Sequence, residues 1–215
     1  MNDVIIYEES EKGGKIALKK TEFKKPGETI KFLYAGELDR LLSGIDNEFY
    51  QLLFLFIYET GSRVSEALPV RYTDLDVKGS KVRLPILKQR RKLYKMIPVS
   101  SKLLSMILSR RLEYTGEYIF AKKDAPITAR AVDKAFKKFV IRILGPGYSD
   151  RAHIHVLRHT RAIHLADDNV NFMHIKNFLG HANINSTLVY LKFSNKDMEE
   201  AVGRVNLKSD LSIYK

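Results

Sequence analysis

The sequence predicts an α+β fold that is mainly helical and contains one small antiparallel β-sheet. Apolar residues recur at helical spacing in most segments after residue 32, whereas strand-like alternation is confined to residues 77–99. The hydrophobic fraction of 45% over 215 residues is normal for a globular core. These observations together favour one domain, or one domain with a small appendage.

The first part of this domain is predicted to contain two helices of full length and one short helix. Helical apolar spacing covers residues 37–43 and 47–58. Ser62 is a candidate N-cap for the short helix, which would contain Arg63 and Glu66.

Residues 77–99 are predicted to form a β-hairpin or a small sheet. Residues 81–84 alternate between polar and apolar side chains, and residues 96–99 supply the returning strand. The segment between them, residues 88–92, is a basic turn with the sequence KQRRK.

The rest of the chain is predicted to be helical apart from a short extended run at residues 118–120. Ser100 or Ser101 begins a helix through Leu112, and Thr128 caps a long amphipathic helix that ends near Leu144. The remaining predicted helices cover residues 155 to about 166, 172–179, 186 to about 193, and 196–205.

Both ends of the chain differ in composition from this central part. Residues 1–33 are charged and contain glycine, with little periodicity, which is typical of an arm or linker. Residues 34–207 are predicted to be the compact domain, and residues 208–215 a polar tail.

The composition also bears on the classes of function and on location. The net charge of +12 makes a nucleic acid a plausible partner, and the absence of cysteine excludes disulfides, thiolate metal sites and thiol catalysis. No apolar run is long enough to span a bilayer, and the N-terminus shows no secretory signal. We also expect a cytoplasmic location, with association to the nucleoid in a prokaryotic host.

Three separated stretches carry side chains suited to cutting a phosphodiester without a metal ion. Such a reaction needs an activatable hydroxyl, fixed donors for the charge on the phosphate oxygens, and a proton for the leaving oxygen. Tyr190 offers the hydroxyl, and the permanently charged Arg63 and Arg158 offer the donors. A lysine or a histidine suits the proton transfer.

Each of these residues alone also has an ordinary structural explanation. Arg63 and Glu66 could form an intrahelical ion pair, the basic turn could be a solvated loop, and Tyr190 is one of 11 tyrosines. The histidines at 153, 155, 159 and 164 raise a metal site as an alternative. No HExxH pattern accompanies them, so we predict no metal.

Taken jointly, the stretches resemble the tyrosine recombinases, the family of phage-type integrases and Xer-like resolvases. The match rests on residues 60–68 (TGSRVSEAL) with 74–76, on residues 155–160 (HVLRHT), and on residues 179–181 (LGH) followed by 187–190 (TLVY). The resemblance covers roughly residues 35–205. It implies the catalytic-domain architecture of DNA breaking-rejoining enzymes.

The resemblance also implies a role for each site residue and requires no cofactor. Tyr190 would attack the scissile phosphate and form a 3′-phosphotyrosyl bond, with Glu66 supporting the site. Arg63, Arg158 and His181 would hold the phosphate, and His155 would assist proton movement at the tyrosine. Lys88 would protonate the departing 5′-oxygen, with Lys92 and Lys95 as alternatives in the same hairpin.

The implied partners are double-stranded DNA and, on that DNA, further copies of the chain in a tetrameric synapse; a monomer in solution stays open, and no membrane partner is implied. The candidate DNA-binding residues are those of the basic turn and the long basic helix: Arg90, Arg91, Lys92, Arg130, Lys134 and Lys137. Residues 196–205 are a candidate for exchange between subunits, or they pack in their own protomer. Residues 1–33 are too short for the family's N-terminal DNA-binding domain, so the chain is either a catalytic fragment or a short member.

Two other functions remain open from the sequence. A type IB topoisomerase-like enzyme would use the same chemistry to relax supercoils. A non-catalytic DNA-binding protein with a decayed site is the other alternative, although all the expected side chains are present.

Overall fold

The computed structural model describes residues 30–86, 93–122 and 125–190, and within them it confirms the predicted α+β class. The helices are α1 (Ala35–Ser43), α2 (Glu48–Thr60), α3 (Val64–Ala67), α4 (Ser101–Glu113), α5 (Ala129–Leu144), α6 (His155–Asp167), α7 (Phe172–Leu179) and α8 (Asn185–Leu188). The strands are β1 (Leu75–Asp76), β2 (Lys81–Ile86), β3 (Leu93–Pro98), β4 (Ala121–Lys122) and β5 (Ala125–Pro126). Two short 3₁₀ helices cover Tyr72–Asp74 and Pro146–Arg151.

The strands β1, β2 and β3 form an antiparallel sheet in chain order. Its register pairs Val82 with Ile97 and Leu84 with Lys95. Val82, Leu84 and Ile97 are buried, whereas Arg83 points to solvent, as expected when successive side chains alternate between the two faces of a strand. The basic turn predicted at residues 88–92 lies outside the described residues.

Helix α2 lies at the centre of the molecule and packs against α1, α4 and α6. Its residues 52–57 are all buried, which is typical of a helix surrounded by other elements rather than lying on a surface. Phe54 meets Phe136 of α5 edge to face, with ring centroids 5.1 Å apart. The C-terminal end of α2 leads into the Arg63 stretch.

Side chains at the helix starts agree with the predicted caps in two cases and differ in a third. Ser100 Oγ accepts from the Leu103 backbone N–H, and Thr128 Oγ1 accepts from that of Ala131, so both predicted caps are confirmed. The prediction of Ser62 as the N-cap of the short helix is wrong, because α3 begins after Arg63. The Glu66 carboxylate accepts the Arg63 backbone N–H instead. A glutamate at the third helical position can take this role from the side chain that precedes the helix.

A smaller apolar cluster joins α6, α7 and the segment after α8. Its buried members include Ile163 of α6, Ile175 and Leu179 of α7, and Tyr190. The start of α6 is fixed from the other side by Asp133 of α5, whose Oδ1 accepts the Ile154 backbone N–H at 2.8 Å. The apolar cluster and the Asp133 hydrogen bond together bring the second motif, residues 155–160, next to the third, residues 179–181 with 187–190.

Several predictions concern residues outside the described ranges, so they stay predictions. These are most of the arm at 1–33, the helix at 196–205, the tail at 208–215 and the end of the helix predicted to reach 193. Leu33, at the edge of the arm, is fully buried, and its backbone N–H donates to Thr160 Oγ1. Among the described helices, none combines the length and the apolar character that crossing a membrane requires.

Candidate active site

The turn that follows α2 brings the first motif against α7. Gly61 ends α2 with φ of +58°, in the left-handed region that favours glycine. A Cβ at this position would lie 2.7 Å from Phe178 Cε1 and 2.9 Å from Leu179 Cδ2, so both the backbone conformation and the contact require glycine. The Gly61 carbonyl is left facing the interior, where it becomes a hydrogen-bond acceptor for the second motif.

Glu66 organises the arginine of the first motif. Its side chain is almost fully buried, with Oε1 accepting from Arg63 Nη1 at 2.7 Å and Oε2 accepting from the Arg63 backbone N–H at 2.9 Å. The Arg63 side chain keeps 23% of its surface exposed. The carboxylate therefore fixes both the start of α3 and the direction of the guanidinium, which remains open to a ligand.

Arg158 of α6 is the largest fully buried side chain among the residues that the structure describes, and it is only 1% exposed. Its Nη1 donates to the Gly61 carbonyl at 2.7 Å, its Nη2 donates to the Leu179 carbonyl at 2.9 Å, and Nη1 lies 3.8 Å from Glu66 Oε2. Burial and the nearby Arg63 lower its pKa to about 10, so it stays charged at neutral pH. This one guanidinium ties all three motifs together.

His155 and His159 lie one turn apart on α6 and face the same region. Their rings meet edge to face, with centroids 4.6 Å apart. His155 is the more exposed of the two, yet loss of hydration and the charges of Arg158 and Arg63 lower its pKa to about 4. Its imidazole is therefore neutral at physiological pH.

His181 follows the glycine that ends α7. Gly180 has φ of +69°, and this left-handed residue turns the chain so that His181 faces the arginines. His181 Nδ1 is hydrogen-bonded with the buried Thr187 Oγ1 at 2.8 Å, which leaves Nε2 for a ligand. Burial, Arg158 and Arg63 lower the pKa of His181 to about 3, so this imidazole is also neutral.

Tyr190 lies in the same pocket and is only 2% exposed. Its Oη and His159 Nδ1 share a hydrogen bond of 2.9 Å, and its ring stacks on His181 with centroids 6.4 Å apart. Burial raises the pKa of the phenol, while Arg158 and Arg63 oppose that rise because they attract a phenolate. The phenol thus keeps its proton at rest, beside charges that would stabilise its ionised form.

Lys95 of β3 also reaches this pocket. Its Nζ donates to the Phe178 carbonyl at the end of α7, next to the Leu179 carbonyl that Arg158 holds. Burial lowers the pKa of Lys95 to about 8, with Glu66 opposing the shift and the two arginines adding to it. A lysine with this pKa can give up its proton far more readily than a solvated one.

The structure brings together six of the residues predicted from sequence: Arg63, Glu66, His155, Arg158, His181 and Tyr190. Lys88 and the turn residues Arg90, Arg91 and Lys92 fall outside the described ranges. Arg130, Lys134 and Lys137 are exposed on α5. Within residues 30–86, 93–122 and 125–190, no set of three or more histidine, aspartate or glutamate side chains is arranged to hold a metal ion.

Two residues of the pocket were not placed there by the sequence argument. His159 was considered only as a possible metal ligand, although its position four residues after His155 puts both on one helix face. Lys95 was only an alternative to Lys88. Its pairing with buried Leu84 in the sheet register brings it to α7, and the alternation of β3 alone did not reveal that contact.

Comparison with known proteins identifies the family. The profile of the phage integrase family matches residues 31–197, which is most of the chain.

The chain belongs to the phage integrase family. It is 32% identical over 184 residues to the tyrosine recombinase XerC of Bacillus licheniformis. This match covers 78% of the chain and 58% of XerC. The chain spans 58% to 60% of the length of three curated relatives.

Solved structures of the family share the fold. The catalytic domain of bacteriophage HP1 integrase is 26% identical, with a TM-score of 0.57, in a match covering 81% of this chain and 95% of that domain. The Tn1549 transposon integrase in complex with transposon right end DNA gives a TM-score of 0.71 at 17% identity, covering 86% of this chain and 68% of the integrase.

Proposed function

We propose that residues 34–207 form the catalytic domain of a site-specific DNA recombinase or integrase that cuts and rejoins DNA through a 3′-phosphotyrosyl intermediate. The observation that carries this proposal is the meeting of two arginines and a buried phenol, from three separated motifs, in one pocket. The names of the XerC relative and the Tn1549 integrase support it.

The proposed reaction is an in-line exchange at phosphorus that conserves the phosphodiester energy. Tyr190 Oη bonds to the phosphorus as the bond to the 5′-oxygen breaks, leaving DNA joined to the protein through its 3′-phosphate. Attack by a 5′-hydroxyl reverses the step and rejoins a strand. No nucleotide or metal ion is needed to balance this exchange.

The phosphate oxygens would be held by Arg63, Arg158 and His181. A guanidinium has five N–H donors. In Arg158, one N–H of Nη1 donates to the Gly61 carbonyl and one N–H of Nη2 donates to the Leu179 carbonyl, so three donors remain for a phosphate. The carbonyl contacts hold the group rigid, and a rigid donor stabilises developing charge without reorganising during the reaction. His155, neutral and more exposed, is in a position to hydrogen-bond a further oxygen or the attacking group.

The 5′-oxygen needs a proton as it departs, and a hairpin lysine is the proposed donor. Lys88 is the candidate from the family resemblance, and Lys95 is the candidate supported by its lowered pKa and by its place beside Glu66, Arg158 and Arg63. A 5′-bridging phosphorothiolate separates the two, because sulfur leaves without a proton. One of the two variants, Lys88→Met or Lys95→Met, lacks the proton donor. That variant should cleave the phosphorothiolate substrate faster than it cleaves ordinary DNA.

Double-stranded DNA is the proposed partner, bound largely through its phosphates. Arg130, Lys134 and Lys137 are exposed on α5 and carry no acidic partner among their described contacts. If one of these side chains contacts a DNA phosphate, replacing that residue should reduce the magnitude of the slope of log affinity against log salt concentration by about 1. A tetramer on DNA, and a location at the nucleoid, follow from the proposed recombination.

A suicide substrate tests the proposed chemistry directly. The probe is a pool of duplexes nicked near a randomised cleavage position, from which the short 5′-hydroxyl fragment diffuses away after cutting. The wild-type protein should accumulate a covalent adduct that survives denaturation, while Tyr190→Phe should bind the pool at low salt without forming it. An adduct formed equally by the Phe variant would refute the assignment of Tyr190.

A type IB topoisomerase-like activity and DNA binding without catalysis are the competing functions. Relaxation of a supercoiled plasmid by monomers, with no exchange between two sites, would identify the topoisomerase. Tight binding with no adduct in the trapping assay would identify the binding protein. The match of the whole fold to recombinases and integrases favours strand exchange over both.

A further inference from the structure

The oxygen that would attack DNA is hydrogen-bonded to a histidine that the family resemblance gave no role. His159 Nδ1 lies 2.9 Å from Tyr190 Oη. We propose that His159 is a catalytic residue that receives the phenolic proton of Tyr190 when the phenol attacks phosphorus. This inference rests on the proposed function and deepens it, because it assigns the proton acceptor at the same site.

The geometry favours His159 over the neighbouring histidines. His181 Nδ1 is already engaged by Thr187 Oγ1, and the described hydrogen bond of the phenol goes to His159 rather than to His181. His155 contacts His159 edge to face, and no described contact joins it to Tyr190. His159 is thus placed between His155 and the phenol, with a ring nitrogen on the reacting oxygen.

The surroundings of Tyr190 explain why a proton acceptor in direct contact is needed. The phenol is 2% exposed, so water has little access to its proton in this state. Burial makes ionisation harder, while Arg158 and Arg63 favour the phenolate that forms as the proton leaves. A neighbouring base and two fixed cations together supply what bulk water would otherwise supply.

The proton balance of the proposed step is complete. The proton on Tyr190 Oη moves to His159 Nδ1 while the Oη–P bond forms and the P–O5′ bond breaks, and the hairpin lysine protonates the 5′-oxygen. In the reverse step, the imidazolium of His159 returns its proton to the departing phenolic oxygen. The pair therefore ends each complete exchange in its starting protonation state.

The first test compares two His159 variants with a matched control. Asn places an amide atom near the position of Nδ1 and can hydrogen-bond the phenol, but it is not a base, whereas Leu removes both properties. Both His159→Asn and His159→Leu should lower the single-turnover rate of adduct formation by about 10²-fold or more, with DNA affinity unchanged. His174→Asn, at an exposed position on α7, should cleave at the wild-type rate.

A second test changes the phenol itself, and rescue in it would show that the His159→Asn variant is folded. Fluorinated tyrosine at position 190 loses its proton more readily, so it should restore most of the adduct formation lost in His159→Asn. It should not restore Arg63→Ala, which lacks a phosphate donor. A 5′-bridging phosphorothiolate should leave the His159→Asn defect in place, because that substrate bypasses only the leaving-group proton.

The outcomes separate this inference from the proposed function. Wild-type cleavage through Tyr190 together with full activity of His159→Asn would overturn the role of His159 and leave the recombinase proposal standing. Rescue of His159→Asn by the phosphorothiolate would also overturn it, since His159 would then act on the leaving group. Absence of any adduct at Tyr190 in the wild-type protein would instead refute the proposed function.

Discussion

Glu66 is the buried carboxylate that faces the cations of the site. Replacing it with glutamine should lower the free energy of unfolding, and added anions should restore part of that loss. The carboxylate touches Arg63 and lies within 3.8 Å of Arg158. It also acts on the charge of Lys95. Glutamine has nearly the same size, so Glu66→Gln removes the negative charge and leaves the packing intact.

The size of the effect follows from the contacts that are lost. Breaking a buried ion pair by removing one partner costs about 3–5 kcal/mol, but the amide oxygen can still accept one hydrogen bond, worth about 1 kcal/mol. We therefore expect a loss of about 2–4 kcal/mol in the free energy of unfolding, against a total of about 5–15 kcal/mol for a domain. The variant should still fold.

Urea unfolding in chloride and in sulfate measures both parts of this prediction. A ligand that binds only the folded state stabilises it, and we expect sulfate to stabilise Glu66→Gln more than the wild type, because the arginines have lost their internal counter-charge. Glu113→Gln, at an exposed position on α4, is the matched control and should change stability by less than about 0.5 kcal/mol. Equal stability of Glu66→Gln and wild type, or equal gains from sulfate, would refute this account of the pocket.

Three further predictions follow from the site. Arg158→Ala should lower the free energy of unfolding in urea by about 3–5 kcal/mol, because it removes a buried charge from its carbonyl partners. Arg63→Ala should lower the free energy of unfolding by less, yet it should slow adduct formation by about 10²-fold or more. Equal losses of stability in the two variants would contradict the difference in burial. The pKa values of about 4 for His155 and about 3 for His181 lie below the unfolded value of 6.5, so the unfolded chain binds more protons between pH 4 and 6.5. The free energy of unfolding should therefore fall as the pH drops through that window, and His181→Asn should reduce the fall. Thr187→Val should slow adduct formation with DNA affinity unchanged, because His181 loses the partner that fixes its ring; a wild-type rate in this variant would show that the contact has no part in catalysis.

Much of the fold could be predicted from local pattern. The helix 172–179 has the bounds predicted for it, and the caps at Ser100 and Thr128 are confirmed, because apolar periodicity and capping depend on residues close together in sequence. The cap at Ser62 was predicted wrongly for a local reason as well. A glutamate inside the helix competes for the same backbone N–H, and the sequence does not say which side chain prevails.

The chemistry of the pocket depends on contacts across long stretches of chain, which periodicity does not reveal. Arg158 could be named from its motif, but its bonds to Gly61 and Leu179 depend on how α6 and α7 pack. The same packing brings His159 to Tyr190 and Lys95 to the end of α7. The sequence could nominate the candidates, whereas only the fold distinguishes the histidine that touches the phenol from those that do not.

The most direct test of the central claim is the identity of the residue that becomes attached to DNA. The adduct trapped on the nicked pool would be digested with protease and nuclease and mapped by mass spectrometry across all 11 tyrosines. The account predicts a nucleotide joined through its 3′-phosphate to the peptide that contains Tyr190. A nucleotide on any other residue, or one joined through a 5′-phosphate, would contradict it.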